Sequence, residues 1–557
     1  MPAGPWVEGK TFSDVLAATA QRVPGNDALV FPQLGLRWSY DELRQRVIAL
    51  AKAFVAAGVA KGGHVGIWST NWPEWVLAQF ATAHIGAVLV NVNPAYRTQE
   101  LAYILKQADL HTLLLVDQFK DSNYESMICE LVPELAASGA IANPDYPQLR
   151  NVVSIKSTAP APGIQPWPAF LALGEAVSDA ELERIRAVTA PGDPVNIQYT
   201  SGTTGAPKGA MLSHRNLLLN AYYGGQCMHY TENDRVCIPV PFYHCFGCVL
   251  GNLMCVVYGA AMIIPAESFD PDATLDAVAA EKCTALYGVP TMFGAELHSP
   301  HFSEDKAQTL RTGIMAGSPC PIELMKAVTS KMHLPEMTIA YGLTEASPVI
   351  TQSSTTEPLE IRVSTVGRVI PGVEAKCVDP ATGESMPDGQ QGELWARGHN
   401  IMLGYYKKPE ATAEAITADG WLRTGDLAVR TPSGHFKITG RSKDVIIRGG
   451  ENVYPRELEE YLLSHPAVRD VQVVGVPDAR FGEQVSAWIV AKEGVAVTED
   501  DIRGFCKGKI AHYKVPAYIV FVEEYPLTVT GKIQKYRLRE MAVERFGLHA
   551  AAQTQTA

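Results

Sequence analysis

The chain has 557 residues, of which 47% are hydrophobic and 19% are charged. This length exceeds what one ordinary core needs, so we predict two or more domains, and the composition excludes a disordered or fibrous chain. With 47 basic and 59 acidic side chains, the formal net charge is −12. That charge argues against non-specific nucleic-acid binding, and any anionic ligand therefore requires a local basic site.

The first 190 residues alternate helical patterns with short apolar strands. Apolar residues at helical spacing over Tyr40–Ala56 precede a strand-like run at His64–Trp68. A helical pattern at Trp75–His84 precedes a strand at Ala87–Val92, and another strand is expected at Leu113–Val116. Strands that alternate with helices of this length predict an α/β fold in which doubly wound mixed or parallel sheets carry helices on both faces.

The stretch between Arg235 and Glu267 contains no formally charged residue and therefore requires a membrane check. Prolines and glycines divide it into short pieces, which are too short to cross a bilayer. We predict a loop, a buried helix near Phe246–Val257 and a strand at Ala260–Ile264, all within the core of a large domain.

Beyond about residue 375 the pattern changes to short strands separated by Gly, Pro and Asp, which predicts an antiparallel β subdomain. A compact α+β pattern follows Gly440, and we predict a small mobile C-terminal domain there. The predicted organisation is an N-terminal domain over 1–440, a hinge at 441–443, a C-terminal domain over 444–545 and a disordered tail over 546–557. The strands expected are Glu374–Val378, Gly392–Arg397, Leu427–Arg430, Gly434–Ile438, Val445–Ile447, Val471–Val476 and Gln484–Val490, and the helices are Pro455–Leu463 and Glu499–Cys506.

The ten cysteines lie mostly inside apolar runs, which predicts buried free thiols in a reducing compartment. Cys245 and Cys248 have C-x-x-C spacing, but no second pair or histidine cluster completes a zinc site. The first residues lack the pattern of a secretory signal. We therefore predict a cytoplasmic protein without a membrane span.

The strongest chemical signal is the segment Tyr199–Gly209, which has the sequence Tyr-Thr-Ser-Gly-Thr-Thr-Gly-Ala-Pro-Lys-Gly and follows a predicted strand at Val195–Tyr199. Its glycines permit positive φ and close backbone approach, so successive N–H groups can surround an anion. The hydroxyls add donors, and Lys208 adds a positive charge. Since Gly209 follows Lys208 where a Walker motif has Ser or Thr, we predict a phosphate-binding loop of another kind.

This segment resembles the signature of the adenylate-forming (AMP-binding) superfamily, which includes acyl-CoA synthetases, luciferases and peptide-synthetase adenylation domains. The resemblance covers nearly the whole chain, because five further motifs follow in the family's order. It implies a large N-terminal domain, a mobile C-terminal domain and an active site between them. The five motifs are Tyr341–Ser347 (YGLTEAS), Thr424–Asp426 (TGD), Gly440–Asp444 (GRSKD), Arg448–Asn452 (RGGEN) and Pro526–Lys532 (PLTVTGK).

A carboxylate that attacks the α-phosphate of ATP acquires AMP as a leaving group, and preorganised donors and cations offset the repulsion between the two anions. The resemblance implies that Glu345 holds Mg²⁺ together with Thr200, and that Thr344 contacts the α-phosphate. It also implies that Lys532 lies between the α-phosphate and the acyl carboxylate. The other cofactor-binding residues implied are Ser201, Gly202, Thr203, Thr204, Gly205 and Lys208 at the β- and γ-phosphates; Gly317, Ser318 and Pro319 beside Tyr341, which stacks on adenine; Asp426 at both ribose hydroxyls; and Gly342, Ile438 and Arg441.

The second half-reaction brings coenzyme A to the same carbonyl, and a moving domain would let one site serve both steps. Lys443 matches the family's hinge position. Gly449 and Gly450 lack side chains, as a narrow pantetheine tunnel requires, and are expected to contact coenzyme A. The small molecules implied are therefore ATP, Mg²⁺, coenzyme A and a carboxylic acid.

The choice of acid is expected to depend on Val240–Gly247, which begins the helix that lines the acyl pocket in the family. Amino-acid-activating members place an Asp there, whereas this chain has His244, Cys245 and Phe246 and no carboxylate. Because a buried ammonium without a counter-ion is costly, amino acids are disfavoured. The uncharged lining favours a medium- to long-chain fatty acid, and the chain is similar to fatty-acyl-CoA synthetases and to the medium-chain branch. His244 is a candidate catalytic, pocket or gate residue.

Other functions are left open by these residues. They include a ligase for a small or aromatic acid, such as methylmercaptopropionate, and an adenylation enzyme that loads a carrier protein, although Gly449 and Gly450 favour free coenzyme A. A luciferase-like monooxygenase would share the fold. A non-catalytic nucleotide-binding regulator would be expected to lose Glu345 or Lys532, and both are present. We expect no nucleic-acid partner, and we also consider a homodimer.

Overall fold

The structure, a computed structural model, describes residues 4–137, 141–200, 207–318, 320–380, 382–449, 451–478, 480–528 and 531–549. The chain forms two compact units, one of residues 1–375 and 396–422 and the other of 376–395 and 423–557. The last boundary between the units lies after residue 422, before the domain boundary predicted at residue 440. Strand 422–430 pairs with strand 436–441, which keeps the two strands together. The hinge for movement of the C-terminal domain at 441–443 stays a prediction.

Strands are interspersed with helices through the first 190 residues, as the periodicity predicts. The strands are β1 (Asp27–Phe31), β2 (Leu36–Ser39), β3 (His64–Trp68), β4 (Val88–Val92), β5 (Leu110–Leu115), β6 (Gln118–Phe119), β7 (Ser122–Asn123), β8 (Asn151–Ser154), β9 (Gln165–Pro166), β10 (Pro194–Thr200), β11 (Lys208–Ser213), β12 (Arg235–Cys237), β13 (Ala261–Ile263), β14 (Ala285–Gly288), β15 (Thr312–Ala316), β16 (Glu336–Gly342), β17 (Val349–Gln352), β18 (Arg368–Val369), β19 (Val373–Val378), β20 (Gln391–Gly398) and β21 (Gly404–Tyr405). The α-helices are α1 (Phe12–Arg22), α2 (Tyr40–Ala56), α3 (Pro73–His84), α4 (Thr98–Gln107), α5 (Tyr124–Leu131), α6 (Glu134–Ala137), α7 (Trp167–Ala172), α8 (Asp179–Arg186), α9 (His214–Cys227), α10 (Met254–Tyr258), α11 (Pro271–Ala280), α12 (Pro290–His298), α13 (Ile322–Lys331), α14 (Leu359–Ser364) and α15 (Pro409–Ala415).

Two mixed sheets with mostly parallel strands form the core of the first unit. The larger has the order β18-β17-β16-β15-β14-β12-β13-β1-β2, and the smaller has the order β21-β11-β10-β4-β3-β5-β8-β9. Antiparallel pairs occur at the ends of these sheets, at β16–β17, β17–β18 and β1–β2 in the larger and at β10–β11 and β11–β21 in the smaller. The predicted α/β fold is therefore confirmed.

Local sequence signals explain where several helices begin. Helix α2 begins after Ser39, whose hydroxyl accepts from the Glu42 N–H while the Glu42 carboxylate accepts from the Ser39 N–H. Such reciprocal capping satisfies two of the backbone donors that a helix start leaves unpaired. Thr11 and Asp14 form the same arrangement at α1. One side of α2 is fully buried, as its apolar spacing predicts.

The uncharged stretch forms a buried helix, as predicted, but its geometry differs from an α-helix. Residues Phe246–Leu253 form a π-helix that continues as α10 and ends at Gly259, whose φ is 81°. Every residue of the π-helix is buried. No helix in the described ranges is both long and apolar enough to cross a membrane. The stretch is thus a core element, and π-helical turns of this kind occur often at functional sites.

The second unit contains a small α+β domain with a β subdomain. Its further elements are β22 (Leu422–Arg430), β23 (Phe436–Arg441), β24 (Ile446–Arg448), β25 (Glu451–Val453), β26 (Val468–Asp478), β27 (Gly482–Ala491), β28 (Tyr518–Phe521), α16 (Pro455–Leu463), α17 (Glu499–Cys506) and α18 (Lys535–Arg545). The four-stranded sheet has the order β19-β20-β22-β23, and the C-terminal sheet has the order β25-β24-β27-β26 with β28 beside β27.

The start of the predicted disordered tail is ordered. Phe546 and Leu548 pack against an apolar cluster beneath α18, and the rings of Phe546 and Tyr518 lie 4.5 Å apart between centroids. The prediction at these two positions is wrong, because each side chain covers apolar surface of the C-terminal sheet. Residues 550–557 lie outside the described residues.

Glu74 in the first turn of α3 predicts a measurable dependence of stability on pH. Burial raises the pKa of its carboxyl group from 4.5 to about 7, and Oε2 has no hydrogen-bond donor among the described residues. The folded state therefore binds the proton of the Glu74 carboxyl group more tightly than the unfolded state does. The free energy of unfolding should fall as the pH rises from about 4.5 to about 7.

Glu74→Gln should remove this dependence. At pH 8 we expect the variant to be more stable than the parent by up to about 3 kcal/mol, because its side chain carries no charge that burial penalises. Urea unfolding at pH 5.5 and pH 8 measures the difference, with the exposed Glu175→Gln as the control. Equal stability differences at the two pH values would show that the Glu74 carboxyl group titrates normally.

Candidate active site

The predicted phosphate-binding loop connects two antiparallel neighbours in the smaller sheet. Strand β10 ends at Thr200 and β11 begins at Lys208, and these two residues are paired across the strands. The backbone thus fixes both ends of the loop. The predicted ligands Ser201, Gly202, Thr203, Thr204 and Gly205 lie outside the described residues.

Glu345 is the centre of a polar cluster at the end of this hairpin. It lies in a 3₁₀ turn, Thr344–Ala346, and is only 8% exposed. The Thr200 hydroxyl donates to Glu345 Oε1 at 3.1 Å, and the Tyr405 hydroxyl donates to the same oxygen at 2.8 Å. The structure therefore brings together the two residues, Thr200 and Glu345, that the sequence predicts as metal ligands.

Tyr405 is a member of this cluster that the sequence analysis missed. It lies in β21, which pairs with β11, and the Lys208 ammonium is 5.0 Å from the centroid of its ring. Burial, followed by the nearby Glu345 carboxylate, raises the pKa of the Tyr405 hydroxyl, which therefore stays a hydrogen-bond donor. Tyr405 and Glu345 are 60 residues apart in the chain. No local spacing signals that contact, although a Gly-Tyr-Tyr sequence just before two lysines marks the position.

Thr344 connects this cluster to the loop that carries His244. The Cys245 thiol lies 3.8 Å from the Thr344 hydroxyl. His244 Nδ1 accepts from the Phe246 backbone N–H at 3.2 Å, so the neutral ring carries its proton on Nε2. The Asn91 amide donates to the Tyr243 carbonyl at 2.9 Å and thereby holds this loop against β4.

The predicted adenine-binding residues lie at neighbouring strand ends. Ala316 of β15 pairs with Ala340 of β16, and Gly317 and Tyr341 follow them directly. Gly317 has a φ of 89°, which a side chain would strain. At Gly342 a Cβ atom would lie 1.8 Å from the Pro348 carbonyl oxygen, so only glycine fits. Ser318 follows Gly317 in the same turn, and Pro319 lies outside the described residues.

Asp426 and Arg441, both predicted to bind the nucleotide, contact each other within the second unit. They are register partners in β22 and β23, and Arg441 Nε donates to Asp426 Oδ1 at 3.2 Å. Ile438 pairs with Ala428 in the same ladder. Lys443, the predicted hinge residue, lies in the 3₁₀ turn Ser442–Asp444 that follows directly.

Lys532 lies in a short hairpin just before α18. The Thr528 N–H donates to the Lys532 carbonyl at 2.7 Å, and the Lys532 N–H donates to the Thr528 hydroxyl at 3.0 Å. Gly449 lies in the turn between β24 and β25 with a φ of 61°. A Cβ atom at Gly449 would lie 3.2 Å from the Phe481 ring, while Gly450 lies outside the described residues.

The predicted site residues fall into two groups. The first unit holds Thr200, Lys208, His244, Gly317, Ser318, Tyr341, Gly342, Thr344 and Glu345, and the second unit holds Asp426, Ile438, Arg441, Lys443, Gly449 and Lys532. In the first group, the hydroxyl of Thr200 and the carboxylate of Glu345 suit Mg²⁺, which prefers oxygen ligands. Among the described residues no cluster of three or more His, Cys, Asp or Glu could hold a metal. Two protein oxygens match an ion held mainly by nucleotide phosphates and water.

Two family models cover most of the chain. The model for AMP-binding enzymes matches residues 16–406, and the model for the C-terminal domain of AMP-binding enzymes matches residues 457–532. The chain belongs to the AMP-binding enzyme family. The resemblance seen in the sequence motifs is thereby confirmed.

Relatives of this AMP-binding enzyme are named as acyl-CoA synthetases and ligases. It is 50% identical to YngI of Bacillus subtilis (strain 168), which is named as an acyl-CoA synthetase, over 97% of this chain and 98% of that protein. It is 44% identical to the mitochondrial medium-chain acyl-CoA ligase ACSF2 of Danio rerio, over 97% and 90%. The crystal structure of the anthranilate CoA ligase AuaEII in complex with anthranoyl-AMP superposes with a TM-score of 0.84 at 26% identity, over 97% of this chain and 98% of that one. An AMP-forming acid–thiol ligase is thus the activity class that these relatives support.

Proposed function

We propose that this AMP-binding enzyme is an ATP-dependent acyl-CoA synthetase for an aliphatic, medium- to long-chain carboxylic acid. It forms an acyl-adenylate, transfers the acyl group to coenzyme A, and releases pyrophosphate and AMP. The observation that carries the proposal is the contact between Thr200 and Glu345 at the base of the phosphate-binding loop. The names of the relatives support coenzyme A as the acceptor and a fatty acid as the substrate.

In the first half-reaction a carboxylate oxygen of the acid attacks the α-phosphorus of ATP, and the bond to the pyrophosphate oxygen breaks. Lys208 and the hydroxyls of the loop bind the β- and γ-phosphates, while Thr344 donates to the α-phosphate. Lys532 neutralises the charge that the carboxylate and the α-phosphate bring together. Mg²⁺ bound at Glu345 and Thr200 would supply charge neutralisation at the phosphate oxygens. Donors placed before the reaction are effective because they need no reorganisation during it.

In the second half-reaction the thiolate of coenzyme A attacks the acyl carbonyl, and the bond to the AMP oxygen breaks. Gly449 and Gly450 provide a passage for pantetheine without side chains, and Lys443 is the hinge about which the C-terminal domain turns. His244 carries its proton on Nε2 and serves as a pocket or gate residue. Lid and hinge movements of this kind commonly separate the steps of a reaction.

The apolar character of the helix that follows His244 supports an aliphatic acid. Residues Phe246–Leu253 are all buried, and none of them carries a charge. Phe246 stacks against Tyr287, with ring centroids 5.6 Å apart, so aromatic surface also contributes to this region. A small or aromatic acid and a carrier-protein thiol are the alternatives that the substrate assay below distinguishes. The cytoplasmic location and a homodimer stay predictions.

The test measures pyrophosphate release across straight-chain acids from acetate to palmitate, with benzoate added, in the presence and absence of coenzyme A. Each buried methylene contributes about 0.8 kcal/mol, so kcat/KM should rise about fourfold per carbon until the pocket is filled. Hexanoate should exceed 6-aminohexanoate by at least about 10²-fold, because the second acid would bury an unpaired ammonium. A flat profile, or a preference for benzoate or amino acids, would exclude the proposed substrate class.

A further inference from the structure

An ion pair occupies the open edge of the C-terminal sheet. Strand β26 is the last strand of that sheet, and within the described part of the chain no further strand pairs with its outer side. At Val473 the Glu459 carboxylate accepts from the backbone N–H at 2.8 Å, and the Lys535 ammonium donates to the backbone carbonyl at 3.2 Å. Lys535 Nζ and Glu459 Oε1 are themselves 2.5 Å apart. The two side chains therefore satisfy the backbone groups that a further strand would otherwise bind.

The same pair connects two helices that pack against opposite faces of this sheet. Glu459 belongs to α16, whose Leu458 and Leu462 pack in one apolar cluster of the domain. Lys535 is the first residue of α18, whose Leu538 and Ala542 pack in a separate cluster. The contact between Glu459 and Lys535 passes around the edge of β26 and fixes the start of α18 relative to α16.

Lys535 stands at a position where a cation needs a specific partner. The N-terminus of a helix carries partial positive charge, which disfavours Lys in the first turn. Helix α18 has no acidic residue in its first turn and no side-chain cap from Gln534. The negative charge of the Glu459 carboxylate offsets that repulsion. Glu459 is only 8% exposed, and the Lys535 ammonium provides the positive charge that a buried carboxylate requires.

Lys532 is only three residues from this anchor. The hairpin that carries it is closed by a bridge between Leu527 and Ile533, and the Gln534 N–H donates to the Pro526 carbonyl at 2.9 Å. Gln534 is also the residue that precedes α18. The base of the hairpin and the first turn of α18 therefore form one continuous unit. A displacement of Lys535 would move the base of the hairpin.

We propose that Glu459 and Lys535 are positioning residues that hold the Lys532 hairpin in the geometry needed for adenylate formation. The proposal rests on the role of Lys532 in the first half-reaction. Misplacing a reacting group by about 1 Å can lower a rate by about 10²-fold, so the anchor affects the step that uses Lys532. It should have little effect on the thioester-forming step, to which Lys532 does not contribute.

The test measures the two half-reactions separately in Glu459→Gln, Lys535→Met and Lys535→Arg. Glutamine keeps an acceptor for the Val473 N–H, and methionine keeps the apolar length of lysine while removing its charge. We expect Glu459→Gln and Lys535→Met each to lower kcat for pyrophosphate release by about 10- to 100-fold, with KM for ATP within about twofold. In both of these variants, thioester formation from supplied acyl-AMP should stay within about twofold of the parent rate. Lys535→Arg should keep most of the parent's adenylation rate, because arginine keeps the positive charge.

The matched control is Glu457→Gln on the same helix. Glu457 pairs with Lys514 at 2.5 Å, its side chain is 54% exposed, and Lys514 lies in the 3₁₀ turn His512–Lys514. Both half-reactions should keep their rates in this variant. An equal loss in Glu457→Gln would show that any change on α16 impairs the enzyme, which would overturn the proposal.

Further outcomes separate this inference from the proposed function. If Lys532→Ala loses adenylation while Glu459→Gln and Lys535→Met keep it, the proposed function stands and the positioning role is wrong. If Lys532→Ala keeps adenylation, the role of Lys532 is wrong and the inference fails with it. A parallel loss of both half-reactions together with a lower Tm would show a structural role only. In the Lys532→Ala background, Lys535→Met should cause no further loss of adenylation, and an additive loss would contradict the proposal.

Discussion

Lys532→Ala is expected to lose pyrophosphate release by at least about 10²-fold while it still converts supplied acyl-AMP and coenzyme A to the thioester at a near-normal rate. The reason is that adenylation joins two anions, whereas attack by the thiol starts from an adenylate whose charges are already accommodated. The hairpin that carries Lys532 is held by main-chain hydrogen bonds and by the Thr528 hydroxyl bonding to the Lys532 N–H. The alanine variant should therefore keep its fold, which Tm measures.

Gly450→Leu should lose thioester formation and keep pyrophosphate release, because a side chain would obstruct the pantetheine passage and leave the ATP site open. Lys443→Pro removes a backbone N–H and fixes φ near −65°, so it should hold one orientation of the C-terminal domain and spare only one half-reaction. Pyrophosphate release and thioester formation are measured separately in each variant. A parallel loss of both steps in all three variants would indicate a single fixed site instead of an alternating domain.

Glu345→Gln should lower ATP-dependent adenylation by at least about 10²-fold and weaken the dependence of the rate on Mg²⁺. Glutamine keeps Oε1 as the acceptor for the hydroxyls of Thr200 and Tyr405, so the buried hydrogen bonds survive while the negative charge is lost. The fold should persist for the same reason. A Mg²⁺ titration of the initial rate, combined with Tm, measures both expectations.

Tyr405→Phe is the matched comparison for Glu345→Gln. It removes one of the two hydroxyls that donate to Oε1 but leaves the carboxylate charge and the aromatic ring beside Lys208. We expect a smaller loss, of at most about 10²-fold, since one hydrogen bond to a charged group contributes roughly 1.5–3 kcal/mol, and the Mg²⁺ dependence should be kept because the carboxylate remains. If Glu345→Gln retained both the rate and the Mg²⁺ dependence, the assignment of Glu345 to the metal would be wrong.

The sequence predicted best those elements whose apolar pattern is strong and local. Helix Tyr40–Ala56, strand His64–Trp68 and helices Pro455–Leu463 and Glu499–Cys506 have the predicted bounds. Each combines apolar residues at the required spacing with a capping or turn residue at its ends. The sequence predicts the domain boundary at 441–443, whereas the compact units divide after residue 422. The pairing of Leu422–Arg430 with the following strand is a property of the sheet and leaves no mark in local periodicity.

The candidate active site shows the same limit of prediction from local sequence patterns. Motif order and family resemblance identified Thr200 and Glu345, and the structure shows them in contact. Neither spacing nor composition could reveal that Tyr405 donates to the same carboxylate, or that Asp426 contacts Arg441, because these contacts depend on how separate strands pair. Glu459 and Lys535 were overlooked for a similar reason, since 76 residues separate them in the chain.

The π-helix at Phe246–Leu253, which we propose lines the acyl pocket, should tolerate the deletion of one residue. A π-helix contains more residues per turn than an α-helix, so this segment holds about one residue more than an α-helix of the same length would. Loss of one codon there could be absorbed by a return to α-helical geometry, with Gly259 still ending the helix. The side chains on the two sides of the deletion would then keep nearly the same relative orientation, because the lost residue is the one that the wider turn accommodates. A one-residue deletion in this segment should therefore change the side chains of the wide turn alone and leave the flanking helix α10 and the surrounding sheets in place.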